Sequence, residues 1–531
     1  MNPPDNDRPS NDRDEDSDKN SKEAFMLFPR RALLAAGAAL PFLPEMARAA
    51  AARTHLNFGL SSYPPNLHPW INAGTAAGTT LLAHHRGLLS YAPDGSIRGE
   101  LAAHWERDGG TGWIFHLREA FFHNGAPVDA AAVKWSFEQI AAPNSTAYLR
   151  AQFQGIAAIE TPDAHTVRVI MKEPTVTFPD WLAPFYSSVV APGKVAPGKL
   201  PVGCGPFVLK SYERGVALDF SAFDKYYMPG LPKLRTMRFV AYPDENLRVA
   251  ALQAGNVDLI EYVPWQSMST IAADPKLKME STLGPFMYLT FNAGSGPFKD
   301  PRVRQAIGFA VKRSDIVAGA FFGRGASLDG MPIPKGTPFY DAKLADFWSY
   351  DPDRAKKLLA EAGFANGFSC TLLSTAQYGM HKITAEVVQQ DLAAIGIDVK
   401  LNLPDWATRV ALGNRGQYEF AVMGSATESN DPDGLSPLID GTLSPSYERS
   451  YDLVVPGLHA LLAAGRAEFD QAKRFAIYAK VQRLALDYAP VVTLCWRSQA
   501  YAMKKSVAGF ANLPGALTFY SGYSFADAYF T

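Results

Sequence analysis

Acidic side chains crowd one short loop. In Thr427-Glu428-Ser429-Asn430-Asp431-Pro432-Asp433 the carboxylates of Glu428 and Asp431 stand three residues apart, a pairing that in principle supports acid/base work of the glycosidase kind. Two acids in one polar loop are equally what a solvated turn contains, so the spacing alone assigns no catalysis. His84 and His85 are adjacent, and helical neighbours point about 100° apart, whereas a two-histidine metal site uses a spacing of three or four. They read as packing or surface histidines. Cys204, Cys370 and Cys495 are odd in number and widely spread, neither a disulfide framework nor a metal cluster. Gly203 and Gly205 sit in a Gly-rich turn, but no Gly-Lys-Ser/Thr follows, so no phosphate loop is expected. Without a Gly-x-Ser-x-Gly elbow or a His-Glu-x-x-His helix, no catalytic residue, metal or cofactor is expected, and binding is a better reading than turnover.

The elements that would position these groups begin late in the chain. Its 531 residues allow two or more domains, and a formal charge of -1 leaves no basic stripe for nucleic acid. Residues 1–24 are polar and acidic, with almost no apolar side chains, a composition that stays disordered. Residues 25–49 hold Arg30-Arg31, an Ala/Leu-rich segment to Leu43 and Ala47-Arg48-Ala49, which reads as a signal peptide of the twin-arginine type. Pro41 interrupts the segment, which is shorter than the roughly 20 residues of a membrane span. No cysteine stands near the cleavage pattern to carry a lipid, so a free periplasmic protein without a membrane anchor is expected.

Beyond that leader, periodicity predicts an α/β chain. Leu56, Phe58 and Leu60 alternate as a strand, as do Trp113, Phe115 and Leu117 and the run Thr166 to Met171. Asp129 can cap a helix beginning near Ala130, and Asp351-Pro352 opens another that Gly363 closes. Leu247 to Ala254 and Lys382 to Ile395 read as helices, the second followed by a strand through Ile397, Val399 and Leu401. Helices alternating with strands imply a mixed or parallel sheet covered on its faces.

The order of motifs is more specific than any one of them. Leu101-Ala102-x-x-Trp105-Glu106, a Gly-rich turn, Trp113-x-Phe115-x-Leu117-Arg118, Phe122-His123-x-Gly125-x-Pro127-Val128 and a helix through Val133 and Ser136-Phe137 closely resemble the signature of the family 5 extracellular solute-binding proteins. Leu252-Gln253-Ala254-Gly255-x-Val257-Asp258 and the stretch Tyr288 to Ala310 are further matches. The chain departs from the pattern at Asp129-Ala130, where the family has Thr-Ala, at His68, where it has Asp, and at Cys204, where it has Thr.

The resemblance implies a two-lobed periplasmic-binding-protein fold of type II, with an extra subdomain in the first lobe and a ligand cleft between lobes. It places lobe I in residues 54–95, 191–292 and 495–531, the inserted subdomain in 96–190, and lobe II in 293–494. It implies a monomeric receptor of an ABC importer that closes on a small, peptide-like solute and passes it to a permease powered by a separate ATPase. In peptide-binding relatives an acid a few positions before the Asp-Pro of the Met423 to Gly434 loop accepts the ligand's α-amino group, and Glu428 holds that position, with Asp431 nearby. The carboxylate-clamping Arg of dipeptide receptors is missing from Leu373 to Gly379, where Thr375 stands. Trp406 and Tyr63 are candidates for apolar walls. A nickel chelate, opine, glutathione or oligosaccharide receptor is the alternative, and an exported hydrolase the more distant one.

Overall fold

In the computed structural model the structure describes residues 53–193, 200–427 and 429–531. The expected polar leader and signal peptide, and Glu428, lie outside the described residues. Strands and helices form where local chemistry directs them. The strand His55–Leu60 buries Leu56, Phe58 and Leu60, and the strand Thr166–Met171 buries every second residue. Asp129 caps the helix Ala130–Ala141 by accepting from Ala132 N at 2.8 Å, and Asp351 caps Pro352–Glu361 by accepting from Arg354 N at 2.9 Å.

Among the described residues the main sheet has eleven strands. At one end, His55–Leu60 pairs in parallel with Thr236–Ala241 and Leu259–Ile260. At the other, Phe368–Leu373 pairs in parallel with Ile397–Asn402 and Phe420–Ser425. Two long antiparallel strands, Leu277–Phe291 and Val491–Lys504, join the ends. Antiparallel pairs elsewhere make the sheet mixed, as the alternation of helices and strands requires.

The stretch 96–190 carries a separate four-stranded antiparallel sheet, Ala102–Asp108, Gly112–Leu117, Thr166–Met171 and Ile156–Asp163. Its first strand is absent from the periodicity reading because only Ala102 is fully buried in it, so no apolar alternation marks it. Among the described residues, side chains bury in three apolar clusters. One surrounds this small sheet, one the His55–Leu60 end of the main sheet, and the largest the Phe368–Leu373 end with its helices.

The strand Leu277–Phe291 shifts register between Leu283 and Phe286. A Cβ on Gly284 would stand 2.0 Å from the Gly515 carbonyl oxygen, so glycine alone lets the C-terminal segment lie against the strand here. That approach carries Ala516, Phe519 and Tyr520 to the site described next.

Candidate functional site

A cavity of about 660 Å³ opens between two groups of elements. One wall is formed by Asn72, Thr75, Tyr148, Phe185, Tyr186 and Tyr520, the other by Trp406, Ser425, Thr427, Tyr447 and Glu448. Its size falls within the roughly 300–1,000 Å³ of small-molecule sites, and its mix of aromatic faces and neutral hydroxyl and amide groups is what such sites use to fix an orientation.

Trp406 is held by its neighbours. Asp405 caps the helix Trp406–Asn414 by accepting from Thr408 N at 3.0 Å. Thr375 Oγ1 donates to the Pro404 carbonyl at 2.7 Å, and Trp406 N donates to Gln377 Oε1 at 3.1 Å. The indole then lies 5.5 Å from the Tyr378 and His381 rings and 6.0 Å from Tyr447, centroid to centroid. Beneath it the fully buried Arg409 guanidinium sits 5.3 Å from the Trp406 ring and 5.6 Å from the Tyr447 ring, a cation between two π faces. Burial, with the charges of Arg409 and Arg497, pushes the His381 imidazole down to about 3, so it is neutral.

The facing wall begins at the helix Thr75–His84, whose N-terminus has no side-chain cap; Gly74 and Thr75 line the cavity there. Uncapped N–H groups at a helix N-terminus favour negative charge. Tyr148 and Tyr186 are 4.5 Å apart, and Tyr520 stacks on Tyr91 at 5.6 Å. Asn430 ties the walls together, donating to the Pro514 carbonyl at 3.4 Å and accepting from Ala516 N at 3.2 Å.

Glu448 is the acidic residue among the described lining residues, and no basic residue lines the cavity with it. Burial raises its carboxyl pKa, and a hydrogen bond with the neighbouring Tyr447 partly offsets that. The two arginines whose charges act on it donate elsewhere: Arg409 to the Val422 carbonyl at 2.6 Å, with its Nε and Nη1 left without a hydrogen-bond partner among the described residues, and Arg449 to the Pro437 and Ser444 carbonyls.

The candidates read from sequence fall in different places. Trp406 lines the cavity. Thr375 is buried at the end of the strand Phe368–Leu373 and reaches the site through Pro404. Tyr63 follows the first strand and packs half-buried against the cluster around Phe58. Asp431 is held in a bidentate pair by Arg474, at 2.6 and 2.7 Å, while its Oδ1 also accepts from Asp433 N at 2.9 Å. His84 and His85 are buried, with rings 4.7 Å apart and His123 4.4 Å from His84; desolvation pushes His85 to about 3 and His123 to about 4. Among the described residues no group of three or more His, Cys, Asp or Glu is arranged to hold a metal, and no helix is long and apolar enough to cross a membrane. Glu448 is absent from the sequence-based candidates. Its only local signal is the aromatic neighbour Tyr447 in a Ser/Pro-rich stretch.

Residues 96–444 match the model of the bacterial extracellular solute-binding proteins, family 5 Middle. The chain is 28% identical over 477 residues to the glutathione-binding protein GsiB of Salmonella paratyphi A, covering 87% of this chain and 92% of the relative. Among solved structures, the PBP AgaA from A. tumefacien R10 in complex with agropinic acid superposes with a TM-score of 0.82 at 42% identity, over 90% of this chain and 99% of AgaA. The periplasmic binding protein DppA of Helicobacter pylori, in complex with the peptide STSA, gives a TM-score of 0.77 at 22% identity, over 90% and 98% of the two chains, and shares the fold.

Proposed function

Because the chain belongs to the bacterial extracellular solute-binding proteins of family 5, we propose that it is the periplasmic receptor of an ABC importer and captures a small, peptide-like solute. The observation that carries this reading is the cavity of about 660 Å³ between walls drawn from residues 72–186 with 516–520 and from residues 406–448. In the two-lobed division expected from the sequence, those walls belong to lobe I with its inserted subdomain and to lobe II. Closure is a hinge motion about the crossing strands Leu277–Phe291 and Val491–Lys504, a recognised way for binding proteins to enclose a ligand. The uncapped helix N-terminus at Thr75 suits a solute carboxylate, and the aromatic faces of Trp406, Tyr447 and Tyr186 suit its apolar parts.

The partners are a membrane permease and its separate ATPase. The protein acts as a monomer and reaches the periplasm through its twin-arginine segment. Titration calorimetry with the tripeptide Ala-Ala-Ala and with glutathione tests the reading: one-to-one binding of the tripeptide supports it, binding of glutathione alone selects the glutathione alternative, and absence of binding by both contradicts it.

A second reading has one specific support, the 42% identity to AgaA in complex with agropinic acid. It makes the solute an opine, and one-to-one binding of agropinic acid by a chain that takes neither peptide probe is the outcome that selects it.

A further inference from the structure

We propose that Glu448 anchors a positively charged amine of the solute, so that the cavity selects peptide-like molecules with a free ammonium group. The inference rests on the peptide-like reading above and gives it a chemical requirement. It starts from an imbalance. Glu448 brings an acidic group to the cavity wall, among the described residues no lysine, arginine or histidine lines the cavity with it, and its side-chain hydrogen bond comes from Tyr447. The guanidinium groups of Arg409 and Arg449, whose charges reach it, are turned onto backbone carbonyls.

A carboxylate taken partly out of water without a counter-ion is unfavourable, and burial shows its effect here by raising the carboxyl pKa. An ammonium in the cavity removes that imbalance. It supplies the opposite charge and donates a charge-assisted hydrogen bond, roughly twice as strong as a neutral one. The surroundings favour such a cation over a neutral group. Trp406 and Tyr447, whose rings are 6.0 Å apart, line the same wall, and their faces attract positive charge. Their other cation, Arg409, is fully buried behind that wall and does not line the cavity.

The acids of the neighbouring loop are differently placed. Asp431 is paired with Arg474 and Asp433 with Arg466, so neither has an unmatched charge to offer.

The test is a two-by-two titration by calorimetry. Full-length protein and its Glu448→Gln variant are each titrated with glutathione and with N-acetylglutathione, in which the amine can no longer be protonated. If Glu448 holds the ammonium, the substitution lowers affinity for glutathione tenfold or more and changes affinity for the acetylated probe less than twofold. Equal losses for both probes, or no loss for either, overturn the assignment. A parent protein that binds neither glutathione nor Ala-Ala-Ala overturns the peptide-like reading and the amine anchor with it.

Discussion

Two acidic regions lie within twenty residues of each other in this chain and have opposite characters. In the loop through residues 429–436, Asp431 is clamped by Arg474 and Asp433 accepts from Arg466 at 2.9 Å and Ser436 Oγ at 2.7 Å. These carboxylates fasten the loop to the helices Leu458–Ala467 and Gln471–Tyr488. Glu448 lines a cavity and has Tyr447 as its side-chain hydrogen-bond partner. The carboxylates of the first region are paired with arginines, whereas Glu448 makes no ion pair among the described residues. Acid content marks neither as a site; the presence or absence of a counter-ion does.

The contrast is broken most severely at Arg474. Its side chain is 7% exposed and that of Asp431 15%, so Arg474→Ala leaves an uncompensated, mostly buried carboxylate and is expected to lower unfolding stability by about 3 kcal/mol in urea titration. A loss below about 1 kcal/mol would mean that the pair is structurally idle. Glu448→Gln has the converse profile. It lowers affinity for glutathione tenfold or more, while its unfolding free energy at pH 7 stays no lower than the parent's, within about 0.5 kcal/mol.

Acid titration sharpens the comparison further. Glu448 has a folded pKa raised above its ordinary 4.5. Its contribution to stability is therefore fully present below pH 4.5 and is lost as pH rises through the folded value. Chemical-denaturation curves of parent and Glu448→Gln should thus diverge as pH rises from 4.5, with the parent losing ground. Buried neutral histidines act with the opposite sign. His85, His123 and His381 are held well below 6.5, at about 3, 4 and 3. The stability they allow is complete above pH 6.5 and falls as pH drops toward those values, equally in both proteins, so it cancels in the difference. A pH-independent difference between the two proteins would contradict the environment assigned to Glu448.

The smallest effect concerns the contact between the small four-stranded sheet and the segment after the helix Leu458–Ala467. Phe469, just after the helix that carries Arg466, lies 3.5 Å beneath the Arg107 guanidinium and 6.2 Å from the Trp113 ring, while Val176 N donates to the Arg466 carbonyl at 2.8 Å. Phe469→Ala removes a cation–π contact of about 0.5–1 kcal/mol. Small-angle scattering of ligand-free Phe469→Ala should show a larger radius of gyration than the parent, and an unchanged radius would mean that these contacts do not hold the cleft.

Much of the fold was legible because its signals are local. Asp129 and Asp351 cap the helices that their positions predicted, and Thr166 to Met171 is a strand at its predicted bounds. Helix starts were less legible: Gly379–Ala393 begins three residues before Lys382, at residues with no capping side chain to mark the turn. The site was less visible still. Trp406 could be named as a wall because aromatic side chains commonly line ligand pockets. Asp431 drew attention through its loop, yet its partner Arg474 is 43 residues away. Glu448 was missed because what distinguishes it, the lack of a counter-ion among neighbours gathered by the fold, is written in no segment of sequence.

The central claim is a receptor whose cavity takes an amine-bearing, peptide-like solute. Its most direct test is to purify the protein from its native host, release the bound solute by mild denaturation and identify it by mass spectrometry. The account predicts a small molecule with a free primary amine and a carboxylate, in one-to-one ratio with the protein. A neutral sugar, a metal chelate or an opine without a protonatable amine would contradict it.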